Sequence, residues 1–128
     1  MLIETYTLDE INKRSVIIVD DCEQLRKKII ETVNGLNRFN VIGEADNGID
    51  AIALIESERP NFLILDIRMP GKSGIQVLDA IQHLVSDICV IVLTNHSGDA
   101  YKERCLKLGV DYFLDKSKEF EQLNSILC

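Results

Sequence analysis

The residue with the clearest chemical potential is Asp66, a single carboxylate that follows the apolar run of residues 62–65. Beyond it the chain turns at Pro70, Gly71 and Gly74. A carboxylate is poorly tolerated inside a sheet, whereas the carboxyl edge of an open α/β sheet is where such folds build their sites. The sequence therefore predicts that Asp66 lies in a functional site at that edge.

Other polar residues follow apolar runs in the same way. Asp20 and Asp21 end the first run, Thr94 ends the fourth, and Lys116 lies just past the fifth. If these runs are parallel strands, all of these side chains lie at one edge of the sheet. If the first and third strands are also neighbours in that sheet, Asp20 and Asp21 meet Asp66 there.

Three carboxylates in one pocket repel one another unless a cation neutralises them. Oxygen ligands suit Mg²⁺, which takes one or two carboxylates and keeps several waters. With Mg²⁺ and Lys116 supplying positive charge, Asp66 can attack phosphorus as a nucleophile and form an acyl phosphate. Thr94 would donate its hydroxyl to a phosphoryl oxygen. These residue types together predict phosphoryl transfer to Asp66.

Apolar periodicity predicts the elements that position this chemistry. Strands are predicted at residues 16–19, 39–45, 62–65, 88–93 and 110–114, and each is followed by a stretch with helical spacing. Strands that alternate with helices indicate an α/β fold with a five-stranded parallel sheet, helices on both faces and right-handed crossovers. The third helix is expected to begin at Ser73 or Gly74.

The second strand is predicted in more detail, because its residues alternate. Phe39, Val41 and Ala45 are expected to share one face, opposite Asn40 and Glu44. Such a pattern is typical of an edge strand with one wetter face.

The chain is divided into an N-terminal extension, residues 1–14, and a single domain, residues 15–128. The motif Thr7-x-x-Glu10 has the form of a capping box, so the extension is either a short helix or a frayed arm. At the other end Ser117 is expected to cap the last helix, and Asp21 is a candidate cap for the first.

Composition excludes several classes of function. The 128 residues carry a net charge of −7, which disfavours direct nucleic-acid binding, and there is no basic patch for a membrane surface. No apolar run approaches the ~18 residues of a membrane span. The acidic start of the chain is unlike a signal peptide, so a cytoplasmic location is expected.

The cysteines are widely spaced and form no CxxC pair; they are Cys22, Cys89, Cys105 and Cys128. Because no histidine cluster lies near them, they are interpreted as small apolar residues or free thiols rather than as a disulfide or zinc site.

The sequence resembles a response-regulator receiver domain of two-component signalling over about residues 15–127. The pieces that carry the resemblance are VIIVDD at 16–21, LILDIRMPGKSG at 63–74, VLT at 92–94 and DYFLDK at 111–116. The resemblance implies the flavodoxin-like (βα)5 fold with strand order 2-1-3-4-5. It also implies a phosphorylated signalling protein rather than an enzyme acting on other substrates.

The resemblance further implies a role for each site residue. Asp66 is then the phosphoacceptor, and Asp20, Asp21, Asp66 and the backbone carbonyl of Arg68 bind Mg²⁺. Thr94 and Lys116 contact the phosphoryl group. Thr94 also forms a switch with Phe113, which carries phosphorylation to the surface of helix 4, strand 5 and helix 5.

The partners implied by the resemblance are a sensor histidine kinase or a histidine phosphotransfer protein, together with a downstream protein that the sequence does not identify. The protein is expected to be a monomer or a phosphorylation-dependent dimer, without direct contact to nucleic acid or membrane.

Two alternatives remain open at the level of sequence. An aspartate-based phosphohydrolase also uses a strand-end carboxylate and Mg²⁺, but such enzymes usually carry a DxD pair, whereas Asp20 and Asp21 are adjacent. The other is a receiver-like binding module that no longer cycles. This binding-module alternative is favoured by Ser117, which follows Lys116 at a position where the family usually has proline.

Overall fold

The computed structural model describes residues 13–95 and 98–127, in which strands and helices alternate. The strands are β1 (Arg14–Val19), β2 (Phe39–Ala45), β3 (Phe62–Leu65), β4 (Cys89–Thr94) and β5 (Tyr112–Asp115). The helices are α1 (Glu23–Gly35), α2 (Gly48–Glu58), α3 (Gly74–Ala80), α4 (Asp99–Lys107) and α5 (Gln122–Leu127), and the 3₁₀ turn Val85–Asp87 precedes β4. Within these ranges none of the helices has the length and apolar character needed to cross a membrane.

The strands form one sheet in the order β2-β1-β3-β4-β5, and every neighbouring pair is parallel. This confirms the predicted α/β fold and strand order. The predicted bounds of β2 and β3 are confirmed, while β1 begins at Arg14, inside the stretch assigned to the N-terminal extension. The predicted capping box at Thr7 lies outside the described residues.

The sheet is buried on both faces, and its central strand β3 is apolar at every position. On one face Ile17, Leu63 and Leu65 pack with residues of α2, α3 and α4. On the other face Ile18 and Ile64 pack with residues of α1 and α5. A strand with helices on both sides has no wet face, so it shows a continuous apolar run rather than alternation. The strands are thus packed between two layers of helices.

Strand β2 departs from the predicted alternation. Its pairing with β1 shifts by one residue, so that Val41 is the partner of Val16 but Gly43 is the partner of Ile17. Phe39 and Val41 therefore pack on the face of α1 and α5, whereas Ala45 packs on the opposite face. The prediction that these residues share one face was wrong, because an extra residue in a strand reverses the alternation beyond it.

The segment between β5 and α5 also differs from the prediction. Ser117 does not cap the last helix, which begins only at Gln122. Instead, Asp115 Oδ1 accepts hydrogen bonds from Ser117 N at 2.8 Å, Ser117 Oγ at 2.6 Å and Lys118 N at 3.2 Å. The buried carboxylate takes the amide hydrogens and folds residues 116–121 into turns, so the helix starts later.

The start of α3 is as predicted and has a complete capping box. The hydroxyl of Ser73 accepts a hydrogen bond from Gln76 N at 3.3 Å, and the Gln76 side chain accepts one from Ser73 N at 2.9 Å. A reciprocal pair of this kind satisfies two amides that the helix itself leaves free. It fixes where the loop after β3 ends, which matters for the residues that this loop carries.

Candidate functional site

Asp66 follows β3 and is 5 % exposed. Its backbone N donates to the carbonyl of Val19 at 3.0 Å, which extends the pairing of β3 with β1 by one step. Its Oδ2 accepts a hydrogen bond from Lys116 Nζ at 3.1 Å, while its buried Oδ1 has no hydrogen-bond partner among the described groups. Buried polar atoms are nearly always paired, so the oxygen that is not paired marks a place where a ligand is expected.

Asp20 follows β1 and is held on several sides. Its backbone N donates to the carbonyl of Ala45 at 3.1 Å, and its Oδ1 accepts a hydrogen bond from Cys22 N at 2.9 Å. Its Oδ2 lies 2.7 Å from Lys116 Nζ. The carboxylate is therefore fixed in direction, and it shares Lys116 with Asp66.

Asp21 differs from Asp20 in being exposed. It does not cap α1, because Cys22 occupies the cap position in an extended conformation, and within residues 13–95 and 98–127 no side chain forms a cap hydrogen bond there. A carboxylate oxygen from each of Asp20, Asp21 and Asp66 nonetheless lies within 4.8 Å of the others. The convergence that the sequence predicted is thus present.

Lys116 is the cation of this site. Its backbone N donates to the carbonyl of Thr94 at 2.9 Å, which joins the ends of β4 and β5, and its side chain is 8 % exposed. Burial lowers the pKa of Lys116, but hydrogen bonds to Asp20 and Asp66 and their negative charges outweigh burial and raise the pKa above its usual 10.5. Lys116 is therefore positively charged at neutral pH.

Thr94 and Phe113 occupy the neighbouring strands. Thr94 ends β4 and is completely buried, and it pairs in register with Asp115 of β5. Phe113 is half-buried and packs against the core on the face of α2, α3 and α4. Beside it on β5, Tyr112 is 44 % exposed. The switching role of Thr94 and Phe113 stays a prediction.

The cluster of Asp20, Asp21 and Asp66 is chemically suited to Mg²⁺, the metal that the sequence predicts. Oxygen atoms of the three carboxylates lie close together, and the buried Oδ1 of Asp66 has no hydrogen-bond partner in the part of the chain that the structure describes. Hard divalent cations such as Mg²⁺ take oxygen ligands of this kind. Arg68, whose carbonyl was predicted as a further ligand, lies in the loop directly after the site with an exposed side chain, and its role as a ligand stays a prediction.

Two glycines hold the loops of the site at close range, and their partners were missed from sequence. A Cβ atom at Gly74 would collide with the carbonyl of Asp66 itself. A Cβ atom at Gly48, the first residue of α2, would collide with the carbonyl of Lys72 in the loop that follows β3. Only glycine permits such close backbone approach. A single sequence shows that a glycine is present but does not show what it touches.

Arg26 and Asp115 are the other residues that sequence reasoning missed. Arg26 on α1 donates to the backbone carbonyl of Asp20, and Asp115 organises the turn directly after Lys116. A signal existed for Asp115, since aspartate two residues before serine often accepts its amide hydrogen. The peptide bond between Lys116 and Ser117 is trans.

Comparison with known proteins gives a consistent family. Residues 16–127 match the family model of the response regulator receiver domain. The chain is 34 % identical over 111 residues to the nitrate/nitrite response regulator protein NarL of Escherichia coli, which covers 85 % of this chain and 50 % of that protein. It is 38 % identical over 112 residues to a protein-glutamate methylesterase/protein-glutamine glutaminase of Clostridium acetobutylicum, covering 85 % of this chain and 32 % of that protein. The chain thus spans half or less of these relatives.

Solved structures agree with this result. The signal receiver domain of a response regulator NarL from Mycobacterium tuberculosis superposes with a TM-score of 0.82 at 29 % identity, covering 91 % of this chain and 94 % of that one. A DNA-binding response regulator of the LuxR family from Staphylococcus aureus gives 0.80 at 36 % identity, covering 88 % and 93 %.

Proposed function

Because this chain belongs to the family of response regulator receiver domains, we propose that it accepts a phosphoryl group on Asp66 from a phosphohistidine of a sensor histidine kinase or histidine phosphotransfer protein. The observation that carries the proposal is the pair of oxygens of Asp66. Oδ2 is bound by Lys116, and the buried Oδ1 has no partner among the described groups.

In the proposed reaction a carboxylate oxygen of Asp66 attacks phosphorus. The new oxygen–phosphorus bond forms as the phosphorus–nitrogen bond of the phosphohistidine breaks, and the electron pair of that bond leaves with the imidazole nitrogen. The product is an acyl phosphate on Asp66. The hydrogen bond from Lys116 to Oδ2 of Asp66 holds the carboxylate in one orientation for this attack.

The remaining residues stabilise the charge on the transferring group. The Lys116 ammonium offsets the negative charge of the phosphoryl oxygens, and the Thr94 hydroxyl donates to one of them. Bound Mg²⁺, with Asp20, Asp21, Asp66 and the Arg68 carbonyl as ligands, would supply further positive charge. In this mechanism the protein catalyses its own phosphorylation and dephosphorylation and is not otherwise an enzyme.

We further propose that phosphorylation changes the surface of α4, β5 and α5 through Thr94 and Phe113. Leu106 on α4 and Tyr112 on β5 are apolar or aromatic side chains that stay 48 % and 44 % exposed. A surface with such residues suits a downstream protein, or a second copy in a phosphorylation-dependent dimer. The proposal is completed by a cytoplasmic location, by no direct contact with nucleic acid, and by one domain that includes β1 from Arg14 and follows an N-terminal extension.

The proposal is tested by incubating the protein with Mg²⁺ and acetyl phosphate and measuring its intact mass. Wild type is expected to gain one phosphoryl group, and Asp66→Asn none, because the amide is not a nucleophile at this site. Asp79→Asn, which changes an exposed carboxylate of α3, is the matched control and should behave as wild type.

An unmodified wild type would contradict the proposal and support a non-cycling binding module. Sustained release of inorganic phosphate from a small phosphoester, lost in Asp20→Asn, would instead support a phosphohydrolase.

A further inference from the structure

Arg26 connects three parts of the molecule from a position outside the carboxylate cluster. It belongs to α1, its Nε donates to Glu44 Oε1 on β2 at 2.6 Å, and its Nη1 donates to the backbone carbonyl of Asp20 at 2.8 Å. The Arg26 side chain is 13 % exposed, whereas Glu44 is 47 % exposed. A guanidinium is a rigid fork that can satisfy two acceptors in fixed directions at once.

The hydrogen bond from Arg26 to the carbonyl of Asp20 completes the set of contacts that hold Asp20. Its carboxylate already bonds to Lys116 and to the amide of Cys22, and its backbone N is bonded to Ala45. The bond from Arg26 fixes the remaining polar backbone atom of this residue, its carbonyl. Both backbone polar atoms on which the direction of the carboxylate depends are then held.

The charge of Arg26 is balanced outside the carboxylate cluster. The hydrogen bond to Glu44 outweighs the opposing effect of burial and raises the pKa of Arg26 above its usual value, and the charges of Glu44, Asp46 and Glu23 raise it further. The guanidinium is therefore charged at all physiological pH values. Its counter-charge is supplied by Glu44 rather than by the carboxylate cluster, so the cluster keeps its own negative charge.

We infer that Arg26 is a positioning residue for the acidic pocket: by binding the backbone carbonyl of Asp20 it orients the Asp20 carboxylate for a divalent cation. The inference rests on the proposed function only in that the pocket binds such a cation. Arg26 acts through Asp20, and nothing in its contacts places it against the phosphoryl group.

The test measures binding of Mn²⁺, as a probe for the divalent site, by electron paramagnetic resonance in the absence of any phosphodonor. Arg26→Ala is expected to raise the Kd for Mn²⁺ about 10-fold, since residues that orient metal ligands typically have effects of that size. Arg26→Lys should be intermediate, because a single ammonium cannot satisfy both acceptors in the fork geometry. If Arg26→Ala does not fold, Arg26→Lys is judged by the same criterion.

Two controls separate positioning from general structure. Glu44→Gln keeps an acceptor for Nε but removes the charge, and it should bind Mn²⁺ within about twofold of wild type. Lys27→Ala changes the next residue of α1, whose exposed side chain pairs with Glu23 at 3.3 Å, and should leave the Kd unchanged. At saturating Mn²⁺, Arg26→Ala should regain nearly the wild-type rate of phosphorylation by acetyl phosphate.

A Kd in Arg26→Ala equal to that of wild type would overturn the inference. So would an equal loss in Glu44→Gln, because the ion pair, rather than the bond to Asp20, would then be the cause. A rate that stays low at saturating Mn²⁺ would overturn it as well. If wild type binds Mn²⁺ but accepts no phosphoryl group, the proposed function fails while the binding measurements still decide the role of Arg26.

Discussion

The polar groups at the two ends of β3 differ in how completely they are hydrogen-bonded. Before the strand, Asn61 Oδ1 accepts hydrogen bonds from Ser15 N at 2.9 Å and Ser15 Oγ at 3.1 Å, and the Asn61 carbonyl accepts one from Cys89 N at 2.8 Å. After the strand, Asp66 keeps a buried oxygen without a partner among the described groups. At the amino end of β3, hydrogen-bonded neutral groups connect β1, β3 and β4. At its carboxyl end, a charged group is available to bind a ligand.

The same difference extends to the acidic residues at the two edges of the sheet. At the amino edge Asp111 Oδ2 accepts a hydrogen bond from Val90 N at 2.8 Å, so a backbone amide stabilises the carboxylate. At the carboxyl edge Asp20 and Asp66 share the ammonium of Lys116. The amino edge therefore needs no cation at this carboxylate, whereas the carboxyl edge depends on one.

Replacement of Lys116 should give the largest change in stability. Lys116→Met leaves two carboxylates, whose side chains are 2 % and 6 % exposed, without their shared partner. We expect the free energy of unfolding to fall by about 3 kcal/mol without added metal, because breaking a buried ion pair strands its charged partners. Urea denaturation measures the change. Lys27→Met, at a side chain that is 68 % exposed, should change stability by less than about 0.5 kcal/mol.

The pH dependence of the same pair of proteins provides a second check. Since the folded-state pKa of Lys116 is raised above 10.5, its stabilising contribution is fully present below that pH and is lost as the pH rises through the folded-state value. The gap in stability between wild type and Lys116→Met should therefore narrow only in strongly alkaline solution. A gap that is absent at neutral pH would show that the carboxyl edge does not depend on its lysine.

The strands that position the carboxyl edge of the sheet could be predicted because their residue types form apolar runs. The run Phe62–Leu65 is apolar at every position, and its bounds were predicted as they are found. The shift within β2 was not predicted, because Val41 and Gly43 are each compatible with either face and a single extra residue leaves no mark on composition. Local pattern gives the strand, but pairing with β1 decides the register.

The residues of the site also fall into those that the sequence predicts and those that it does not. Asp20, Asp66 and Lys116 could be predicted because polar residues at the ends of apolar runs stand out in a sequence. Arg26 could not, because its contacts depend on how far a side chain reaches from one turn of α1 to β2 and to the carbonyl of Asp20. Long-range contacts of side chains on helices carry no signature in a single sequence.

Crowding at the carboxyl edge should give the next largest effect. In Gly74→Ala the new methyl group meets the carbonyl of Asp66 and the Cα atom of Ile67. We expect a loss of about 2 kcal/mol in unfolding free energy, as is usual for an overpacked site, together with slower phosphorylation because Asp66 is displaced. Gly35→Ala, where no described atom lies within 4 Å of the new methyl group, should be neutral or stabilising by up to about 1 kcal/mol. Equal behaviour of the two variants would remove the steric argument.

The amino end of β3 should give the smallest effect, and an effect of a different kind. Asn61→Ala removes the side-chain oxygen that accepts from Ser15 N and Ser15 Oγ, at a position where both residues can reach water. We expect a loss of about 1 kcal/mol in urea denaturation, the usual net value of such hydrogen bonds, and an unchanged rate of phosphorylation by acetyl phosphate. The rate should hold because β3 is clamped on both faces by the core, so loosening one end does not move Asp66 at the other. A rate that falls in proportion to stability would mean that the two ends of the strand are coupled, and that the amino edge contributes to the chemistry as well as to the fold.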